Sequence, residues 1–311
     1  MRRGFTLVEI VMVIVITGIL AVGTFKALGA LMIRAKKSEA VTELSLQTQA
    51  ALDQLSQLLY NRVPASVIGY DPKDGTYEAL EQLAAPKPVL EWLGTAEEAT
   101  VARYVSGFVD MNASDPAANR LVSPMSDGDG LQSVTRTKFA LQGNLYDNDD
   151  LRLVFAGSFD SGAADGESVA DAFGWHGSAA KGLHAMRMDG EGNITLADDA
   201  PFIYEKYYLV DSAYAVARAA DVDGNASCIR ALGDGVKRRD LLLFYNYRPW
   251  KGETFCADPR GNPEGNVTLL AEDTEGFRAE EIDFTIRLSI DTLRPIRGST
   301  PVHITKQKVV F

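Results

Sequence analysis

The sequence is short of the residues that build metal and redox chemistry, with two cysteines and three histidines in 311 positions. Two cysteines, Cys228 and Cys256, exclude a disulfide-dense scaffold and a four-cysteine zinc site. His176, His184 and His303 stand without ligand spacing, so they read as packing or surface residues rather than as a metal set. A Gly-x-Ser-x-Gly elbow and a phosphate-binding glycine loop are both missing. No catalytic residue is assigned, and the expectation is a protein that is not an enzyme. Positive charge is also scarce: 31 basic residues face 42 acidic ones, a net charge of −11. Apolar runs are scarce too. Only one stretch is long enough to span a bilayer, which rules out a multi-pass membrane protein.

What is present is unevenly distributed. Residues 1–37 hold Arg2, Arg3, Lys26, Arg34, Lys36 and Lys37 against Glu9 alone, a balance of +5. The rest of the chain therefore carries −16. An acidic body of this kind is a poor binder of nucleic acid, and no nucleic-acid partner is expected. At 46% hydrophobic residues the chain can still bury a substantial core.

The opening residues are Met1-Arg2-Arg3-Gly4-Phe5-Thr6-Leu7-Val8-Glu9-Ile10. From Phe5 to Phe25 Glu9 is the only charged residue, and at 1.5 Å per residue the stretch covers roughly 30 Å. A secretory signal peptide would have a shorter apolar core and no acid at its start. An uncleaved anchor is the other plain reading, and it leaves Glu9 unexplained. A carboxylate inside a membrane helix costs about 2.5–3.5 kcal/mol on insertion scales and marks a function.

The string Gly4-Phe5-Thr6-Leu7-Val8-Glu9 behind a short basic leader resembles the type III signal of type IV pilins and type II secretion pseudopilins. That resemblance implies cleavage after Gly4 by a prepilin peptidase and N-methylation of the new terminus, Phe5. It also gives Glu9 a role in registering the subunit during assembly. It covers about the first 60 residues. One departure is visible: where major pilins commonly carry a proline near the end of the apolar stretch, this chain has Lys26. The implied placement is a single pass through the bacterial inner membrane with the body in the periplasm, or on a pilus after assembly. Arg2 and Arg3 agree with that orientation, whereas Lys26, Arg34, Lys36 and Lys37 oppose the positive-inside bias.

After Phe25 the pattern becomes amphipathic with no break. Val41, Leu44, Thr48, Ala51, Leu55 and Leu58 recur at steps of three and four. Pro64, preceded by Asn61, is the first stop, so one helix from about residue 6 to 61 is predicted, on the order of 84 Å long. The expected organisation is a cleaved leader at 1–4, a pilin helix at 5–62 with its membrane segment at 5–25, and a globular body at 63–311. The fold class is α+β: a long amino-terminal helix packed on a mainly antiparallel β-sheet body.

Predicted strands in the body are Ala102–Val109, Lys138–Leu145, Leu151–Phe159, Leu183–Met188, Ile203–Val210, Leu241–Tyr247, Glu281–Ile290 and Val302–Phe311. Loops rich in Asp and Gly, such as 126–130 and 147–150, separate them. Thr76–Leu83 and Val89–Leu93 read as short helices. Val267–Leu270, Gly276-Phe277 and the last two strands are similar to the carboxy-terminal run of large PilW-like minor pilins and J-type pseudopilins.

With the body outside the cytoplasm, Cys228 and Cys256 would meet an oxidising compartment and are expected to pair, the alternative being two buried thiols. Asp221, Asp223 and Asn225 place oxygen ligands on alternate residues beside a turn glycine, as a calcium loop would. Such a run is also an ordinary solvated turn, and no cofactor is required. Trp175, Tyr207, Tyr208, Tyr214 and Trp250 belong to the core or to an adhesive surface. The resemblance implies a minor pilin that joins or primes a type IV pilus; a minor pseudopilin of a type II secretion system and a pilus-tip adhesin or DNA-uptake subunit are the alternatives. Its partners would be other pilin or pseudopilin subunits, the prepilin peptidase, the inner-membrane assembly platform and membrane lipid.

Overall fold

A computed structural model describes residues 6–157, 168–200, 202–222, 226–230, 232–233, 235–256 and 263–311. The first element, α1, runs unbroken from Leu7 to Tyr60. No proline interrupts it, and Pro64 lies just beyond its end. Its buried residues are Ala40, Leu44, Thr48, Ala51, Leu52, Leu55 and Leu59. The predicted stripe thus holds at Leu44, Thr48, Ala51 and Leu55 but is rotated at both ends. Ala40 is buried instead of Val41, and Leu59 is more deeply buried than Leu58, because a straight helix of 3.6 residues per turn keeps one fixed face toward the body.

The body follows as β1 (Ile68–Asp71), β2 (Thr76–Ala79), β3 (Val89–Thr95), α2 (Glu97–Val101), β4 (Arg120–Val122), α3 (Gly128–Phe139) and β5 (Arg152–Phe155). Next come β6 (His184–Met188), β7 (Asn193–Leu196), β8 (Tyr207–Arg218), α4 (Ser227–Arg230) and β9 (Leu241–Tyr247). The chain closes with β10 (Asn266–Ala271), β11 (Thr274–Ile282), β12 (Thr285–Arg294) and β13 (Val302–Val310). All pairings between these strands are antiparallel.

The larger sheet is organised by β8. β3 takes one of its edges from Val210 to Ala217. The other edge is shared, with β5 on Tyr207–Val210 and β9 on Ala213–Arg218. Beyond β5 the sheet continues through β6 and β7 to β4, and beyond β3 through β1 to β2. The smaller sheet has the order β11-β12-β13.

Alternation along the strands builds two cores on the two faces of β8. Tyr214 and Val216 join Leu90 and Trp92 of β3, Leu243 of β9, and Ile286, Leu288 and Ile290 of β12 around Leu52, Leu55 and Leu59 of α1. Burying each of those leucines contributes about 2 kcal/mol. Ala213, Ala215 and Ala217 face the opposite way, onto Leu93, Phe244, Tyr247, Phe173 and Trp175. A third core lies under α3, between β4, β5, β6 and β7.

Several strand and helix expectations change. Val89–Leu93, predicted as a helix, is the central strand β3, buried on both faces; a short apolar run with Trp92 has no periodicity to separate the two states. Thr76–Leu83 is β2 followed by a single tight turn at Leu80–Gln82. Ala102–Val109 contributes only one isolated bridge, Phe108 with Lys206. Lys138–Leu145 is the end of α3 and the loop after it. That helix begins inside the predicted 126–130 loop, because the Asp127 carboxylate accepts hydrogen bonds from the backbone N–H of Asp129 and of Gly130 (3.1 and 3.0 Å). Glu281–Ile290, predicted as one strand, contains the β11–β12 hairpin turn at Asp283 and Phe284, both at positive φ (51° and 63°).

Candidate amino-terminal assembly site

Thr6 and Glu9 close the start of α1 on each other. Thr6 Oγ1 accepts from the Glu9 backbone N–H (3.3 Å), while Glu9 Oε2 accepts from the Thr6 backbone N–H (3.1 Å) and hydroxyl (3.0 Å). This reciprocal arrangement satisfies donors that the first turn of a helix leaves open. It also keeps a carboxylate beside the positive end of the helix dipole. In the sequence Glu9 stands out through its charge alone, and Thr6 does not stand out at all. The signal was present in the spacing Thr6-Leu7-Val8-Glu9 directly ahead of an apolar run.

None of the residues from Leu7 to Glu39 is buried. Ile10, Met12, Ile14, Ile16, Ile19 and Leu20 are each at least half exposed. One polar side chain of this stretch is satisfied by the helix itself: Thr24 Oγ1 donates to the Leu20 carbonyl at 2.8 Å. A Cβ added at Gly18, Gly23 or Gly29 would meet nothing within 4 Å. Between its two end turns an α-helix pairs its backbone groups internally, as a lipid environment demands. The segment is long and apolar enough to cross a membrane.

Residues 1–25 match the model of the prokaryotic N-terminal methylation motif. The chain opens with a pilin-type prepilin signal. It thereby has the amino terminus of a prepilin peptidase substrate of the pilin or pseudopilin type. No curated protein and no solved structure matches the chain. Gly4 and Phe5, the processing residues implied by the motif, lie outside the described residues; Glu9 lies within them.

The remaining candidates are scattered. Cys228 in α4 and Cys256 beyond β9 form a disulfide with Cα atoms 5.5 Å apart. Both are buried in the core that also holds Phe173 and Phe244. Their sulfurs and a Glu264 oxygen lie within 4.8 Å of one another, but the disulfide consumes both thiolates that a metal would need. Of the calcium candidates, Asp221 has both carboxylate oxygens on the Arg218 guanidinium, Oδ2 at 2.7 Å from Nε and Oδ1 at 3.0 Å from Nη2. Asp223 and Asn225 lie outside the described residues.

The histidines occupy three separate elements. His303 is exposed on β13. His184 is buried on β6 against Phe155, and burial, aided by Arg152, pushes its pKa below the ordinary 6.5. His176 stacks on Tyr70 with ring centroids 3.8 Å apart and sets Nε2 2.7 Å from Glu91 Oε1. The Tyr247 hydroxyl donates to the other Glu91 oxygen at 2.7 Å, and burial together with Glu91 pushes its pKa far up. This buried carboxylate, pinned from two sides, ties β3 to β9 and was invisible in the sequence. Trp175, Tyr207 and Tyr214 are core residues, whereas Tyr208 and Trp250 are partly exposed. Trp250 is fixed by its indole N–H on the Asp149 carbonyl at 2.9 Å.

Proposed function

We propose that this chain is a minor pilin-like structural subunit, not an enzyme, that enters or primes a type IV pilus. The observation that carries this reading is one continuous helix with two different surroundings. Its first half bears a prepilin signal and leaves its apolar side chains unburied among the described residues, while its second half is built into the body. A soluble domain does not keep such a stretch exposed, and lipid or the helices of neighbouring subunits supply what it lacks. In this reading prepilin peptidase removes Met1–Gly4 and leaves N-methylated Phe5. The inner membrane then holds the subunit by α1 with its body in the periplasm, the oxidising side, which suits the Cys228–Cys256 disulfide. Glu9 registers the subunit against its neighbours.

The reading is tested on filaments sheared from cells that express the chain. Mature protein is expected as a minor component of the filament fraction. A Gly4→Leu variant should stay in the membrane as uncut precursor. Absence of the mature chain from pili, with recovery in a secretion pseudopilus, would overturn the pilus assignment in favour of the secretion alternative.

A further inference from the structure

The far end of the exposed stretch carries an unexplained charge feature. Past Lys26 the helix continues with Leu28, Leu31 and Met32, each at least half exposed. Arg34, Lys36 and Lys37 follow, also exposed. The loop between β12 and β13 lies against this point. Gly298 approaches the Ile33 side chain, and Lys37 Nζ donates to Thr300 Oγ1 at 3.2 Å. Ile296 of that loop packs with Ala40 and Leu44. The loop therefore holds exposed Arg297 at the same level of the molecule as the three basic residues of the helix.

These four cations are treated differently from those nearby. Arg278, Arg287, Arg294 and Lys308 of the small sheet all have carboxylate partners. Among the described residues no carboxylate pairs with Arg34, Lys36, Lys37 or Arg297, and Glu39 is the only acid in the adjoining turn. Arg34 and Lys37 are also helical neighbours of like charge, a mildly unfavourable arrangement unless something outside the chain neutralises it. The rest of the body is strongly acidic, so the cluster is not part of a generally basic surface.

Position identifies the neutralising partner. From Thr6 to Arg34 the helix rises about 42 Å, against about 40–45 Å for a bilayer with its headgroups. Across a bilayer a stretch this long would tilt, and the long side chain of Lys26 would carry its ammonium toward the interface. We infer that Arg34, Lys36, Lys37 and Arg297 form a collar that seats the body on anionic phospholipid headgroups of the leaflet it faces. The inference rests on the membrane-anchored reading above. It gives a physical reason for basic residues on the side of the membrane where orientation bias disfavours them.

The test uses the full chain in nanodiscs of phosphatidylcholine, alone or mixed with phosphatidylglycerol, followed by amide hydrogen exchange. In the anionic discs Gly298, Ser299 and Thr300 should exchange about tenfold more slowly than in neutral ones, the effect of one or two headgroup contacts. About 1 M salt should abolish the difference, as should the variant R34Q/K36Q/K37Q/R297Q in low salt. Equal exchange in both lipids would overturn the collar. Protection that appears in neutral discs only when two copies share a disc would also overturn it, and would assign the charges to a neighbour's acidic body. Alkaline carbonate extraction separates the two levels. A chain that washes out overturns the anchor and the collar with it, whereas a retained chain with lipid-independent exchange loses only the collar.

Discussion

The two halves of α1 obey the same helical geometry and differ in what covers them. From Leu7 to Glu39 no side chain is buried, although the first nineteen of these residues are almost wholly apolar. From Ala40 to Leu59 seven positions on one face are buried, although half of that sequence is polar. Apolar content alone would have assigned the core to the wrong half. Periodicity assigns it correctly, because a stripe matches a flat partner such as a sheet, whereas an all-round apolar surface matches lipid or a ring of other helices.

The contrast is broken most strongly by truncating leucines on either side of it. Leu55→Ala, at 0% exposure in the shared core, should lower the stability of the body by about 3–5 kcal/mol. Leu20→Ala, 64% exposed, should leave the urea midpoint of the detergent-solubilised body unchanged. Equal shifts would mean that the first half folds against the body after all. Removing the disulfide with Cys228→Ser and Cys256→Ser opens a loop with a sequence separation of 28 and should cost roughly 3–4 kcal/mol on the chain-entropy model. The loss should appear in the thermal unfolding of the body, while membrane residence of α1 is untouched.

Acid provides a smaller test. His184 has its folded pKa pushed below 6.5 by burial, so the neutral form is the one the fold accepts. Its contribution to stability is in place above 6.5 and is lost as pH falls from there toward the lower folded value. Wild-type unfolding midpoints should drop across that window, and His184→Asn should flatten the drop. Membrane residence of the first half should not respond, since no titratable group lies between Glu9 and Lys26. An equal pH slope in the variant would assign the acid sensitivity to other groups.

Glu9→Val sharpens the comparison at its outer end. Losing half of the capping box should fray one turn, a cost of about 1 kcal/mol, with insertion and cleavage preserved. Entry into filaments should nevertheless fail, as read by cross-linking to neighbouring subunits. Wild-type incorporation would reduce Glu9 to a helix cap.

Sequence legibility followed the same division. α1 was readable to within one residue at each end, because an uninterrupted apolar pattern and the stop at Pro64 agree. β9 was readable in full and β13 nearly so, from runs of β-branched and aromatic residues. The failures came where tertiary context overrides local signal. Asp127 starts a helix across two glycines, Asp283 and Phe284 turn without a glycine, and β8 continues past Val210 through Asp211 and Ser212 because sheet burial surrounds them. Of the site, Glu9 and the paired cysteines were legible in sequence. Thr6 was present as an unread spacing, and the buried Glu91–Tyr247 contact joins residues 156 positions apart, which no local pattern reports.

In the proposed reading the exposed half of α1 is a processed, methylated element that awaits partners outside the chain. Intact-mass analysis of protein extracted from the membrane of a host with prepilin peptidase addresses it directly. The expected chain begins at Phe5, lacks Met1–Gly4 and carries one added methyl group. A chain that still begins at Met1 would contradict it.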